Sequence, residues 1–210
     1  MLCSTMFRTS SVFLLGLSLS LSAQANPSES SSVGSKSAKI LPVRDIVMHD
    51  KNGQSQVVGT LTLTTLTSSP PSSLNGYQAD VSMDDSRFGD YFLSMRPFKC
   101  LESEQQLLCH LPYPYQNAQQ ITQDDLTDLE YQLLFIRKNP NDYGINPWFG
   151  VYYKLSWQNP PHGPITGQLH ETDMDVLAAP PEDPSIKPIT ADDLYEADSD
   201  VHWWPTITIQ

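Results

Sequence analysis

The side chains in this chain whose types and spacing suggest chemistry are first its carboxylates. Asp124, Asp125, Asp128 and Glu130 cluster in one segment, and Asp192, Asp193, Glu196, Asp198 and Asp200 in another. The two segments open alike: "ITQDDL" at 121–126 returns as "ITADDL" at 189–194, with five of six positions identical. Calcium needs about six to eight oxygens wrapped by a folded loop. Neither segment has the D-x-[DN]-x-[DN]-G-x₅-E order or a glycine to turn it. A threonine before two acids is instead the pattern of an N-cap: Thr122 or Thr190 accepts from the N–H three residues on, and the acids meet the positive end of the turn. The expectation is one isoleucine-stapled, capped turn used twice, with no metal bound.

The five histidines, His49, His110, His162, His170 and His202, show no H-x-x-x-H or H-E-x-x-H spacing, so a zinc site would have to be assembled from distant strands. They read as surface residues. His202, beside Trp203 and Trp204, is the one that could line a pocket mouth. No G-x-S-x-G elbow, S-x-x-K pair or glycine-rich phosphate loop is present. A non-sequential active site is not encoded in spacing, which keeps an exported hydrolase as an alternative. No catalytic residue and no cofactor is assigned.

Residues 1–25 have the form of an export signal: Arg8, then the apolar run "VFLLGLSLSL" from Val12 to Leu21, then Ala23-Gln24-Ala25. Ten apolar residues are too few to cross a hydrocarbon core of about 30 Å. Cleavage is expected after Ala25, giving a periplasmic or secreted protein with no membrane span. Cleavage leaves 185 of the 210 residues and removes one cation, Arg8, and no acid, so the formal charge moves from −12 to −13. Such a chain repels phosphate backbones and anionic membranes, which excludes nucleic acid as an expected partner. Two cysteines then remain, Cys100 and Cys109. In an oxidising compartment they suit a disulfide stapling a hairpin, the spacing not being C-x-x-C.

These residues must be positioned by strands. Residues 26–39 are Ser-rich and nearly without apolar side chains, as a flexible terminus would be, and residues 40–210 form a single β-rich domain. From Ile40 the hydrophobic period is two. "VRDIVMHD", "QSQVVGTLTLTTL" and "YQADVSM" read as successive strands. "DYFLSMRPFKCL" and "QLLCHLPYPY" read as the stapled hairpin. "EYQLLFIRK" reads as a buried central strand, and "WFGVYYKLSWQ", "ITGQLHETDMDVL" and "HWWPTITIQ" complete the set. In "WFGVYYKLSWQ" the residues Val151, Tyr153, Leu155 and Trp157 share a face.

Eight or nine strands with short connections and two short helical turns predict a mainly β, antiparallel domain. The expected form is a small up-and-down barrel, with a β-sandwich as the alternative. The meander resembles the lipocalin-like barrels in plan, without their Gly-x-Trp signature near the first strand, and a likeness of plan implies no function. An outer-membrane barrel is disfavoured because the outward faces carry Thr, Gln, Asp and Lys. Inward aromatics of such a barrel either fill it or line a cavity. Tyr153, Trp157, Trp203 and Tyr91 are the candidate contacts for a small apolar or amphipathic ligand in a non-enzymatic binding protein. An envelope accessory protein acting through protein contacts is the alternative.

Overall fold

A computed structural model describes residues 38–66, 76–93 and 96–210. The expected signal segment (1–25), the Ser-rich terminus up to residue 37 and nearly all of the expected loop at 68–76 lie outside them. The domain is mainly β: among the described residues twelve strands form one antiparallel sheet, with one short α-helix and a few 3₁₀ turns.

The strands are β1 Arg44–His49, β2 Ser55–Thr65, β3 Tyr77–Met83, β4 Gly89–Leu93, β5 Arg96–Glu102, β6 Leu107–His110, β7 Gln120–Ile121, β8 Phe135–Lys138, β9 Gly150–Trp157, β10 Ile165–Thr172, β11 Tyr195–Glu196 and β12 Thr206–Ile209. Their order is β4-β5-β6-β8-β9-β10-β12-β1-β2-β3-β7, and β11 pairs with β10. Eight or nine strands were expected from periodicity and twelve occur among the described residues. "DYFLSMRPFKCL" folds back on itself as β4 and β5, and β7 and β11 are two-residue pairings too short to show a period.

One face of the sheet gathers the main core. Ile46 and Met48, Leu61 and Leu63, Tyr77 and Ala79, Phe135, Val151 and Tyr153, Ile165 and Leu169, Ile207 and Ile209 alternate inward from their strands. In β2 the phase slips opposite Ile46 and Val47. Gly59 permits this bulge, since a Cβ there would lie 2.6 Å from the carbonyl oxygen of Ser82. Leu66 falls at the strand's end and is exposed.

The expected closed barrel is corrected: the sheet is an open path whose ends, β4 and β7, do not pair among the described residues. The reason lies in "EYQLLFIRK", which is a strand only from Phe135. Its first half belongs to a tight turn containing α1 (Thr127–Glu130). Apolar side chains face both ways there because Leu129 and Leu133 enter the main core while Tyr131 and Leu134 enter a second one on the opposite face.

That turn occupies the gap that a closing strand would fill. Beyond Val151, β9 has no strand partner on its β8 side among the described residues, and there the Leu155 N–H donates to the buried Glu130 carboxylate at 2.8 Å. Across the gap, Gln132 offers its amide to the free edge of β3: Val81 N–H donates to Oε1 at 3.2 Å, and Nε2 donates to the Ala79 carbonyl at 2.9 Å. Two side chains thus satisfy backbone groups at two strand edges that would otherwise lack partners.

The repeated hexapeptide also resolves into two environments. Thr122 Oγ1 accepts from Asp125 N–H at 3.1 Å, as a cap should, but α1 starts only at Thr127, where Asp125 Oδ1 accepts from the Thr127 N–H. In the second copy Asp193 does the capping, accepting from both the N–H and the hydroxyl of Thr190 at 2.8 and 2.7 Å. Ile121 anchors its copy in the main core and Ile189 anchors the other in the opposite one.

Candidate functional site

On the outer face of the sheet, β5, β6 and β8 contribute the side chains that alternate away from the main core. Cys100 and Cys109 are directly paired across β5 and β6 and form a buried disulfide, packed with Leu107, Tyr91, Phe98 and Ile145. Next to this cluster lies a second one: Tyr131, Leu134, Ile136, Tyr152, Met174, Leu177 and Ile189. Between the two is an apolar cleft of about 690 Å³. That size and chemistry fall in the range of small-ligand sites.

Each wall has a local cause. The floor is Ile136 of β8 with Phe98 of β5. One wall is "HLPYPY", an extended segment in which Pro112 and Pro114 are exposed and Tyr113 and Tyr115 half-buried, because proline fixes φ and cannot extend the ladder. The opposite wall is the 3₁₀ turn Met174–Leu177, capped by Asp173, whose Oδ1 accepts from the Asp175 N–H at 2.9 Å. Gly150 lets this turn sit down on the sheet: a Cβ there would come within 2.5 Å of Met174 Cγ. Ile145 and Pro147 complete the rim.

The covering segment is latched onto the sheet. Lys187 Nζ sits 5.3 and 5.2 Å from the ring centres of Tyr113 and Tyr131 and 2.9 Å from Asp128, with both partners of the ion pair largely buried. The Ile189 N–H donates to the Tyr131 hydroxyl at 2.6 Å, and the Tyr115 hydroxyl donates to the Leu177 carbonyl at 2.9 Å. Tyr113, shared by the latch and the cleft, meets Tyr131 edge to face at 4.8 Å. Burial raises the Tyr131 hydroxyl's pKa, so it stays a neutral donor and acceptor.

The aromatics selected from the sequence lie elsewhere and do not converge. Tyr153 is fully buried in the main core, donates to the Trp204 carbonyl at 2.8 Å, and has its pKa raised by burial. Trp157 packs on Tyr77 at 5.2 Å, donates to the Gly163 carbonyl and lies under Arg44. Trp203 is half-buried with Lys51 over its ring. Tyr91 packs at the disulfide and donates to Glu102, a bond that pushes its hydroxyl up to about 12. The interior is filled by Tyr153, Trp157, Phe135 and their neighbours, so the open space is outside the sheet rather than within it.

Two charged constellations arise that spacing did not announce. Glu130, wholly buried, accepts from Leu155 N–H, the Tyr152 hydroxyl and, at 3.1 Å, Lys154 Nζ. Burial, reinforced by Glu130, raises the Tyr152 pKa, so its proton stays on the phenol. The second joins His202, Glu171 and Arg137: His202 Nε2 lies 2.8 Å and Arg137 Nη2 3.2 Å from Glu171 Oε1. His202 is buried rather than exposed, and burial lowers its pKa. A histidine beside a carboxylate is hydrolase-like, yet none of the three lines the apolar cleft or the polar clefts near it. Glu130 and Lys154 do face a second, polar cleft of about 370 Å³, where the carboxylate is fully occupied by its three donors.

Sequence reasoning missed the cleft residues Phe98, His110, Tyr113, Ile136, Ile145, Met174 and Leu177 as a set. The signal available was the "PYPY" alternation beside the stapled hairpin. Comparison with protein-family models, curated proteins and solved structures finds no match for the chain. No helix among the described residues is long and apolar enough to cross a membrane.

Proposed function

We propose that this is an exported, periplasmic or secreted, non-enzymatic protein that holds a small apolar or amphipathic ligand in the outer-face cleft between the disulfide cluster and the Met174–Leu177 turn. The observation that supports it is the cleft itself: about 690 Å³, walled by Phe98, Tyr113, Ile136, Ile145, Met174 and Leu177 on the outer face of the sheet. The disulfide beneath it keeps β5 and β6 in register, which suits a site that must stay formed when empty.

The test is native mass spectrometry of protein purified from its own periplasm, followed by thermal shift across a lipid and metabolite panel. A co-purifying mass, or a shift that Leu177→Trp abolishes by filling the cleft, is expected. No bound mass and no shift would refute the reading. The same spectra report the mature N-terminus, expected at Asn26.

A protein partner is favoured by a separate observation. Tyr143 is 96% and Trp148 68% exposed on the loop that supplies Ile145 and Pro147 to the cleft rim. Such rings are enriched where proteins meet. Loss of a reproducible envelope partner in pull-downs with Tyr143→Ser/Trp148→Ser, with ligand shifts intact, would assign that role to the loop.

A further inference from the structure

Two charged side chains stand among the residues of the cleft, and they differ in what they leave available. Lys99 is committed to Asp90, its Nζ lying 2.8 Å from Oδ1. Asp175 sits exposed on the 3₁₀ turn Met174–Leu177 that forms the opposite wall. Its carboxylate has no counter-ion and no hydrogen-bond donor among the described residues. Asp173 caps the same turn through one oxygen, which accepts from the Asp175 N–H, and so adds a second charge of the same sign beside the wall.

A charge acts through space, so its sign selects a ligand without any fixed hydrogen-bond angle. An anionic head would meet a free carboxylate at one wall and an ammonium already neutralised at the other. A neutral head gains nothing from Asp175. A cationic head gains the attraction of the rim, and Phe98 and Tyr113 bring to the same lining the aromatic rings to which cations are drawn. The Tyr113 hydroxyl both donates and accepts, so it serves a head of any charge and does not choose among them. The rest of the chain acts in the same sense. Asp and Glu number 24 against 12 Lys and Arg, an excess that favours the approach of cations over that of anions.

We infer that the cleft takes a cationic amphiphile, an apolar body ending in one ammonium group of the alkylammonium kind, and that Asp175 is the charge that selects it. This rests on the reading of the cleft as the ligand site.

The test uses three probes of one chain length on the disulfide-bonded protein: octylammonium, 1-octanol and octanoate. Calorimetry at low and at high salt gives their affinities. At low salt octylammonium should bind about fivefold more tightly than 1-octanol, the factor supplied by one carboxylate about 4 Å away in water, and octanoate should bind most weakly. High salt should shrink both ratios, because the rim is exposed and its charge is screened. In Asp175→Asn the ratio of octylammonium to octanol should fall towards one, with the affinity for octanol unchanged. Asp45→Asn removes the same charge from an exposed site on β1, separated from β8 by β9, β10 and β12, and should leave the ratio in place. Octanol or octanoate binding as tightly as octylammonium, or an equal fall of the ratio in the two variants, would overturn the inference while leaving the cleft as a site. Leu177→Trp, which fills the cleft, should abolish binding of all three. Binding that survives it, or failure of all three probes to bind the unmodified protein, would overturn the reading of the cleft beneath. Should Asp175→Asn not fold, the probe ratios and their salt dependence on the unmodified protein decide the matter alone.

Discussion

Removing the Glu130 carboxylate tests the idea that side chains of one turn seal the open sheet. In Glu130→Ala, the Leu155 N–H and the Tyr152 hydroxyl lose their acceptor in a site with no exposure, and Lys154 loses its counter-ion. A buried polar group stranded in this way costs about 1–3 kcal/mol. Two of them, plus the cavity left by the side chain, place the loss at roughly 3–5 kcal/mol. That is a large part of the whole stability of a domain, about 5–15 kcal/mol. Lys154 is half in solvent, so Lys154→Met should cost under about 1 kcal/mol. Glu130→Gln keeps an oxygen for Leu155 N–H but turns an amide donor towards Lys154, and should fall between the two. Urea unfolding monitored by tryptophan fluorescence measures all three. If Glu130→Ala loses less than about 1 kcal/mol at unchanged m-value, the seal is not a structural element and the account of the open sheet fails. A loss in Lys154→Met equal to that in Glu130→Ala would show that the ion pair, rather than the backbone cap, carries the energy.

Gln132→Ala should free the β3 edge, destabilising the domain by about 1–3 kcal/mol, and the Val81 amide should exchange markedly faster in hydrogen–deuterium exchange. Unchanged protection at Val81 would contradict the side-chain cap. Reducing Cys100–Cys109, or replacing both by Ala, should cost about 2–3 kcal/mol, read as a shift in urea midpoint between oxidised and reduced protein. His202 has its folded pKa lowered by burial, so the unfolded chain takes up a proton that the fold resists. Stability from this residue is therefore present above the unfolded value of about 6.5 and is lost as the pH falls towards the folded value, at up to about 1.4 kcal/mol per pH unit. His202→Gln should flatten that slope between pH 6.5 and 5 in urea titrations. His110 contributes in the same direction and should remain in the variant's curve.

Period-two patterning was enough to locate most long strands. Thr60, Thr62 and Thr64 alternate with Leu61 and Leu63, and Val151 to Trp157 alternate inward as expected, because a strand with one wet face must write its burial into the sequence. It failed where burial is two-sided. Glu130 to Leu134 carries apolar residues on both faces, which a central strand and a turn wedged between two cores share equally. The disulfide was legible from the number and spacing of the cysteines with the expectation of an oxidising compartment. The second core was not, because Met174, Leu177 and Ile189 come from a segment with no period and meet Ile136 and Tyr152 only after the chain folds over the outer face.

The candidate site followed the same division. Aromatic content indicated contact residues, but whether Tyr153 and Trp157 line a space or fill it depends on whether the sheet closes around them. That depends in turn on two hydrogen-bonding side chains, Glu130 and Gln132, whose partners lie 25 and about 50 residues away in sequence. The amino-acid sequence by itself determined the strand faces, the disulfide and the charge, since these follow from local pattern and composition. Only the tertiary structure decided that the sheet stays open, that its interior is solid and that the cleft lies outside, because each is set by contacts between segments that carry no trace of one another in their spacing.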